Sequence, residues 1–313
     1  MFKTFSIAFY NLENLFDTAH DAYTLDEDYT PEGELQWNMD RYNRKIRNLA
    51  NVISKIGRKQ CEIPPVFVGV SEVENDTCLE DLVKADKLNP FSYNFVHYDS
   101  PDERGIDVAF LYQKEHFELI YSDNYPLMLI DNSGDRDYTR DILLVHGKLF
   151  GKPVYIIVNH WPSRNKGAQA SSYKREQAAK LVNEIINDIH EENDAARIII
   201  MGDFNDDPDS NSIKNNLMTG EFFNPMLELK QNKKGSVRYS NKWYLFDQII
   251  MSDNLLNNTE DELKYISTEI FDDHFLQEPK GKRKGAPKRT FVGKWHLGGY
   301  SDHFPVLSYF KVL

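Results

Sequence analysis

Residues 198–201 place three isoleucines and a methionine in a row, the run stops at Gly202, and Asp203, Asn205, Asp206, Asp207 and Pro208 follow at once. A short run of bulky apolar side chains bounded by turn residues reads as a strand buried on both faces. Pro208 cannot continue a ladder, so the polar residues before it stand in a loop at the strand's end. The arrangement recurs. Val66–Val70 leads to Glu72, Val154–Val158 to Asn159 and His160, and the alternating Phe5–Tyr10 to Asn11. Tyr244–Met251 carries Asp247 inside an apolar run, and Asp302-His303 come just before the apolar tail Pro305–Phe310. In an antiparallel sheet the end of one strand and the start of its neighbour lie on one edge. Runs of this kind must stack as sheets, and the polar ends can then share a face.

Helices are fewer. Ile46, Leu49, Val52, Ile53 and Ile56 fall at helical spacing within Met39–Ile56, with Gly57 as the stop. Ala178, Leu181, Val182, Ile185 and Ile189 make the stripe of a second helix over Ser171–His190, where Ser171 or Ser172 is placed to cap. Cys78–Ala85 reads as a short helix, Asp107–Tyr112 and Leu143–Leu149 as further strands, and residues 17–38 as a long acidic and aromatic surface loop. Several strands follow strands directly, so strict βαβ alternation is absent. The expected class is α+β: two mixed, mainly antiparallel sheets packed together, with helices on the outer faces. The 313 residues, 41% of them hydrophobic, can bury a large core, and without a linker or repeat they read as one domain over 1–313.

The net charge of −12 argues against a broad duplex-binding face. Lys280–Arg289 runs against that balance, with six Lys or Arg and no acid. It reads either as a solvated loop or as a substrate contact. Cys61 and Cys78 fit no zinc spacing, which suggests a reduced, cytoplasmic protein. The N-terminus alternates like a strand rather than a signal core, and no stretch approaches a membrane span. A monomer without stable membrane insertion is expected.

Taken singly, the polar residues have ordinary explanations: Glu72 as a turn acid, His160 as a packed histidine, Asp203 as a side-chain turn cap. Asp247 is harder to set aside, because a carboxylate within an apolar run needs a partner. Taken together they supply hard oxygen ligands, two histidines and neutral amides, with no thiolate. Such a set suits Mg²⁺, Mn²⁺ or Ca²⁺ rather than structural zinc. A histidine oriented by a buried carboxylate can take a proton from water, and amides can donate to phosphoryl oxygens. The combination fits metal-assisted attack of water on a phosphate ester.

At FYNLENLF (9–16), GVSEVEN (69–75), RGIDVAFLY (104–112), VNHWPSR (158–164), MGDFNDDP (201–208), LFDQIIMS (245–252) and YSDHFPV (300–306), the chain resembles the endonuclease/exonuclease/phosphatase superfamily. The motifs run in the family's order over nearly the whole chain. The resemblance implies a four-layer α/β/β/α sandwich with one site on the edge of the paired sheets. It also implies roles. Glu72, aided by Asn11, would hold the metal. His303 would be the general base, polarised by Asp247, with Asp302 assisting. Asp203 and Asn205 would position the nucleophile, phosphoryl group or leaving oxygen, and His160 would contact phosphoryl oxygens or assist the leaving group. Asp107 is the candidate partner of His160.

Arg104, Arg140, Asn159, Ser163, Arg164 and Lys166 stand near the motifs as candidate substrate contacts. The leading expectation is a metal-dependent phosphodiesterase of nuclease type acting on a phosphate ester, nucleic acid among the candidates. The alternatives are a phosphatase or phospholipase-type enzyme acting on inositol phosphates, nucleotides or sphingomyelin-like lipids, and a non-catalytic binding protein on the same fold.

Overall fold

A computed structural model describes residues 3–131, 133–164, 167–256 and 263–312. In chain order its principal strands are β1 (Lys3–Leu15), β2 (Phe67–Val73), β3 (Tyr93–His97), β4 (Asp107–Gln113), β5 (Phe117–Tyr125), β6 (Ile142–Leu149), β7 (Lys152–His160), β8 (Ile198–Asp203), β9 (Phe222–Phe223), β10 (Asp247–Ser252), β11 (Lys264–Ile270) and β12 (Val306–Val312). The helices that matter for packing are α1 (Met39–Ile53), α2 (Asp76–Lys84) and α3 (Ser172–Glu192).

The strands form two six-stranded sheets, ordered β11-β12-β1-β2-β4-β3 and β9-β10-β8-β7-β6-β5. β1 pairs with β2 in parallel and β7 with β8 in parallel, and the remaining pairings are antiparallel. The two parallel pairs lie in the interior of their sheets, where both faces are covered, which is why β2, β7 and β8 hold near-continuous apolar runs and why Phe5–Tyr10 of β1 is buried on both faces. The sheets stack face to face. A Cβ on Gly69 would stand 2.6 Å from Met201 Sδ, so glycine leaves room there for a side chain of the facing sheet.

One core joins α1, α2, the first sheet and the inner face of the second. A separate cluster sets Ala178, Val182, Ile185 and Ile189 of α3 on the outer face of the second sheet. The result is the expected four-layer α/β/β/α sandwich. The fully buried Leu49, Val52 and Ile53 of α1 each contribute roughly 1.5–3 kcal/mol relative to exposure. Asn38 caps α1 by accepting from the Arg41 amide at 3.1 Å. Gly57 ends the segment at φ +74°, where a Cβ would meet Ser6 Oγ at 2.3 Å.

Some boundaries differ from expectation. α1 ends at Ile53 and passes into turns before Gly57. β1 runs on to Leu15, so Asn11 lies within it rather than after it. Residues 244–251 divide between a short strand, Lys242–Tyr244, and β10. Ser171 precedes α3 but its hydroxyl does not cap the helix; it donates to the Gly167 carbonyl and accepts from Arg175. Both cysteines are free and buried. Among the described residues no helix is long and apolar enough to cross a membrane.

Candidate active site

Two strands of the second sheet end, and an antiparallel third begins, level with one another. In register, Asp203 of β8 sits between His160 of β7 and Asp247 of β10. One position earlier, Gly202 lies beside Asn159, and a Cβ there would come 2.3 Å from the Asn159 carbonyl oxygen. The first sheet brings its own edge to the same place. Asn11 of β1 lies beside Ser71 of β2, and both ladders of β2 slip just beyond this point. Glu13, Asn14 and Glu72 take left-handed φ values of +53°, +53° and +62°. Bulges and left-handed non-glycine residues re-aim side chains at a sheet edge, at a cost of about 1–3 kcal/mol each.

Asn11 crosses between the sheets. Its Nδ2 donates to Asp203 Oδ2 at 3.1 Å, and its Oδ1 accepts from the Glu13 amide at 2.9 Å. Glu72 Oε2 accepts from the Asn14 amide at 2.9 Å, and Oε1 lies 3.9 Å from His160 Nε2. His160 Nε2 is 3.8 Å from Asp203 Oδ2. The same oxygen is 3.8 Å from His303 Nε2, and His303 Nδ1 donates to Asp247 Oδ2 at 2.8 Å. Glu72, His160, Asp203, His303 and Asp247 therefore form one line of contacts drawn from both sheets. Ser301 locks His303 in place: its hydroxyl donates to the Asn11 carbonyl at 2.7 Å and accepts from the His303 amide at 3.0 Å.

The two histidines are driven in opposite directions. Burial lowers the pKa of His303, yet the charges of Asp247, Asp203 and Asp302 override it and hold the ring well above its ordinary value. Burial, with the charges of Arg140, Arg104 and His303, holds His160 well below, so that ring is neutral. The Asp203 carboxyl is raised to about 7, by burial above all, with Asp247 and Glu72 adding to the rise and His303 opposing it. Asp203, Asp247 and His303 offer ligand atoms within 4.8 Å of one another. Asp247 Oδ1 is buried without a hydrogen-bond partner among the described residues. Crowded carboxylates with an oxygen left over, and no thiolate, fit a hard divalent cation.

Several expected residues do other work. Asp107 does not reach His160: His97 Nε2 lies 3.2 Å from its Oδ2, and its Oδ1 accepts from the Ser100 amide and hydroxyl. Arg140 is not free to meet a substrate; it is buried, pairs with Asp102 at 2.9 Å and donates to the Trp161 carbonyl at 3.0 Å. Asn159 is fully buried, donating to the Ile157 and Met201 carbonyls and accepting from Trp161 Nε1 at 3.0 Å. Asn205, at φ +50°, commits its Nδ2 to the Trp161 carbonyl. Arg164 donates to the Asn205 carbonyl, pairs with Asp206 and lies over the Phe246 ring. Asp302 pairs with Arg289 at 2.7 Å while its other oxygen is 3.9 Å from His303 Nε2. Arg104 stays at the rim, bonded to Asn14 and 4.0 Å from Glu72. Ser163 is half-buried beside Arg140 in a cavity of about 390 Å³. Lys166 lies outside the described residues.

A buried pair escaped the sequence reading. Lys45 Nζ lies 3.7 Å from Glu13 and donates to Thr290 Oγ1 and the Tyr300 carbonyl, both at 2.7 Å. Glu13 accepts from the Thr290 amide at 2.6 Å. A lysine adjoining the apolar stripe of α1 was its signal in the sequence.

A sequence profile of the Endonuclease/Exonuclease/phosphatase family matches residues 6–312. No protein of curated function matches the chain in sequence. Among solved structures, an endonuclease/exonuclease/phosphatase family protein from Bacteroides thetaiotaomicron superposes with a TM-score of 0.61 at 16% identity, covering 100% of this chain and 99% of that one. A humanized D. rerio TDP2 gives 0.60 at 15% identity over 98% of both chains. A B. thetaiotaomicron mannosyl-6-phosphatase gives 0.59 at 16% identity over 98% of this chain and 99% of that one. At such identities these likenesses show the fold.

Proposed function

The chain belongs to the endonuclease/exonuclease/phosphatase family, and from that premise we propose that it is a divalent-metal-dependent phosphodiesterase. The observation that carries the reading is the contact line from Glu72 through His160 and Asp203 to the His303–Asp247 pair. Glu72, with Asn11 beside it, would hold Mg²⁺ or Mn²⁺, and Asp203 supplies a further oxygen nearby. Bound there, the cation would supply positive charge against a phosphoryl oxygen.

The chain's own groups account for the proton chemistry. Asp247 accepts from His303 Nδ1, which fixes the ring and leaves Nε2 facing the cleft to take a proton from the attacking water. His303 serves as a base only when the negative charge of Asp203 and Asp247 is offset, because those carboxylates hold its proton. His160 is neutral, and with Nε2 set toward Glu72 and Asp203 that nitrogen carries the hydrogen, ready to donate to a phosphoryl oxygen. Asn205, its amide committed to the Trp161 carbonyl, positions the loop that follows Asp203.

The test is a substrate panel with purified protein: bis-4-nitrophenyl phosphate, 4-nitrophenyl phosphate, single-stranded DNA, RNA and inositol phosphates, each with Mg²⁺, with Mn²⁺ and with EDTA. Metal-dependent cleavage of a diester is the expected result. Cleavage of monoesters alone would assign the phosphatase alternative, and no turnover on any of them would leave a binding protein.

A further inference from the structure

The basic turn at Lys280–Arg289 is tied to the site at two points. Arg289 Nη2 donates to Asp302 Oδ2 at 2.7 Å, and Asp302 Oδ1 is 3.9 Å from His303 Nε2. Arg238 Nη1 donates to the Lys284 carbonyl at 3.0 Å, and its neighbour Val237 forms a β-bridge with His303. Arg283 belongs to the same group. After burial, the charges of Arg289 and Arg238 lower its pKa, while Glu278 and Asp302 pull the other way. The lysines of the turn at 280, 282 and 284 are exposed to water, whereas Arg238, Arg283 and Arg289 are half-buried. Nε and Nη2 of Arg283 and Nε of Arg289 are shut off from solvent and have no acceptor among the described residues.

Guanidinium nitrogens away from water are ordinarily bonded, and Asp302, an acid that acts on Arg283, is already paired with Arg289. We propose that Arg238, Arg283 and Arg289 form a subsite for a second phosphate group of the substrate, next to the ester that is cleaved. The forked donors of arginine suit phosphate oxygens. Arg283 has no acceptor on Nε or Nη2 to lose, so it is the member able to turn toward a ligand. The inference deepens the phosphodiesterase reading and rests on it for the reaction, but not for the binding.

The experiment compares two substrates with the same scissile bond, thymidine 5′-(4-nitrophenyl phosphate) and its 3′-phosphorylated counterpart, on wild type, Arg283→Ala and Arg283→Lys. Wild type should favour the 3′-phosphorylated ester about tenfold, carried in KM, as expected for one charge-assisted contact. Arg283→Ala should erase the preference while leaving kcat/KM on the plain ester unchanged, and Arg283→Lys should restore part of it. A parallel arm titrates thymidine 3′,5′-bisphosphate and pentathymidylate into metal-free protein, which reads binding without turnover. Loss confined to the bisphosphate assigns a terminal phosphomonoester, and loss confined to pentathymidylate assigns a neighbouring diester. If no ester is cleaved but Arg283→Ala still weakens binding, the function fails and the subsite stands. Equal effects on both esters, or none in either arm, overturn it; thermal melts confirm that the variants are folded.

Discussion

His303 owes its placement to two residues from distant parts of the chain, Asp247 on the ring and Val237 at the bridge, and to Ser301 on its amide two positions before it. Its role is chemical under the proposed mechanism, so His303→Ala is expected to lower kcat by about 10³ in protein still folded at the assay temperature, with a lowered melting temperature because buried Asp247 loses its partner. Steady-state kinetics with a melt checks this, and near-native kcat removes the residue from the mechanism. Arg140 is expected to behave in the opposite way. Arg140→Leu leaves buried Asp102 without its partner and should cost about 3 kcal/mol of stability, with KM changed less than about twofold. Denaturant unfolding decides; a large rise in KM at full stability would return Arg140 to the substrate. The sequence sets His303 inside the motif at 300–306 and Arg140 only near the motifs, and it could not show that Arg140 is spent on Asp102. The same ambiguity held at Asn159 and His160. Successive residues of a strand point to opposite faces, so one turns inward to Trp161 and its neighbour turns to the cleft.

At the scale of elements, His97 ends β3, Asp107 begins β4 and Asp76 lies in the first turn of α2, and the histidine ring joins all three. Burial lowers the pKa of His97, but the hydrogen bonds and charges of Asp107 and Asp76 outweigh it and raise the pKa overall. A histidine whose pKa is raised by folding contributes stability that is complete below its unfolded value, about 6.5, and is lost as pH rises through the folded value. Wild-type stability should therefore decline above neutrality more than that of His97→Gln, as measured by urea midpoints across the pH range; parallel curves would refute it. The interior strands were legible because both faces are apolar, and their polar ends named most of the cleft. The edge strands were not. β5 and β11 are largely half-buried or exposed, so their sequences lack a clean alternation. Asp107 was assigned to the wrong histidine for a related reason: without knowing that β3 lies beside β4, nothing in the sequence brings His97 to it.

At the scale of the whole molecule, the cleft concentrates the carboxylates of Glu72, Asp203, Asp247 and Asp302, and their mutual repulsion works against folding unless a cation offsets it. Mg²⁺ or Mn²⁺ at a hundredfold excess over its dissociation constant should add about 2.7 kcal/mol to the unfolding free energy. Glu72→Gln should remove most of that gain while leaving the metal-free stability close to wild type. Differential scanning calorimetry with and without metal reads both, and an unchanged midpoint in wild type would count against metal binding. The pairing of β1 with β12 joins residues 3–9 to residues 306–312, and His303 lies just ahead of that final strand. During synthesis the first strand must wait beside the ribosome for a neighbour made some three hundred residues later. A nascent chain that stops short of residue 303 would carry Asn11, Glu72, His160, Asp203 and Asp247 and still lack the base that the proposed mechanism assigns to His303.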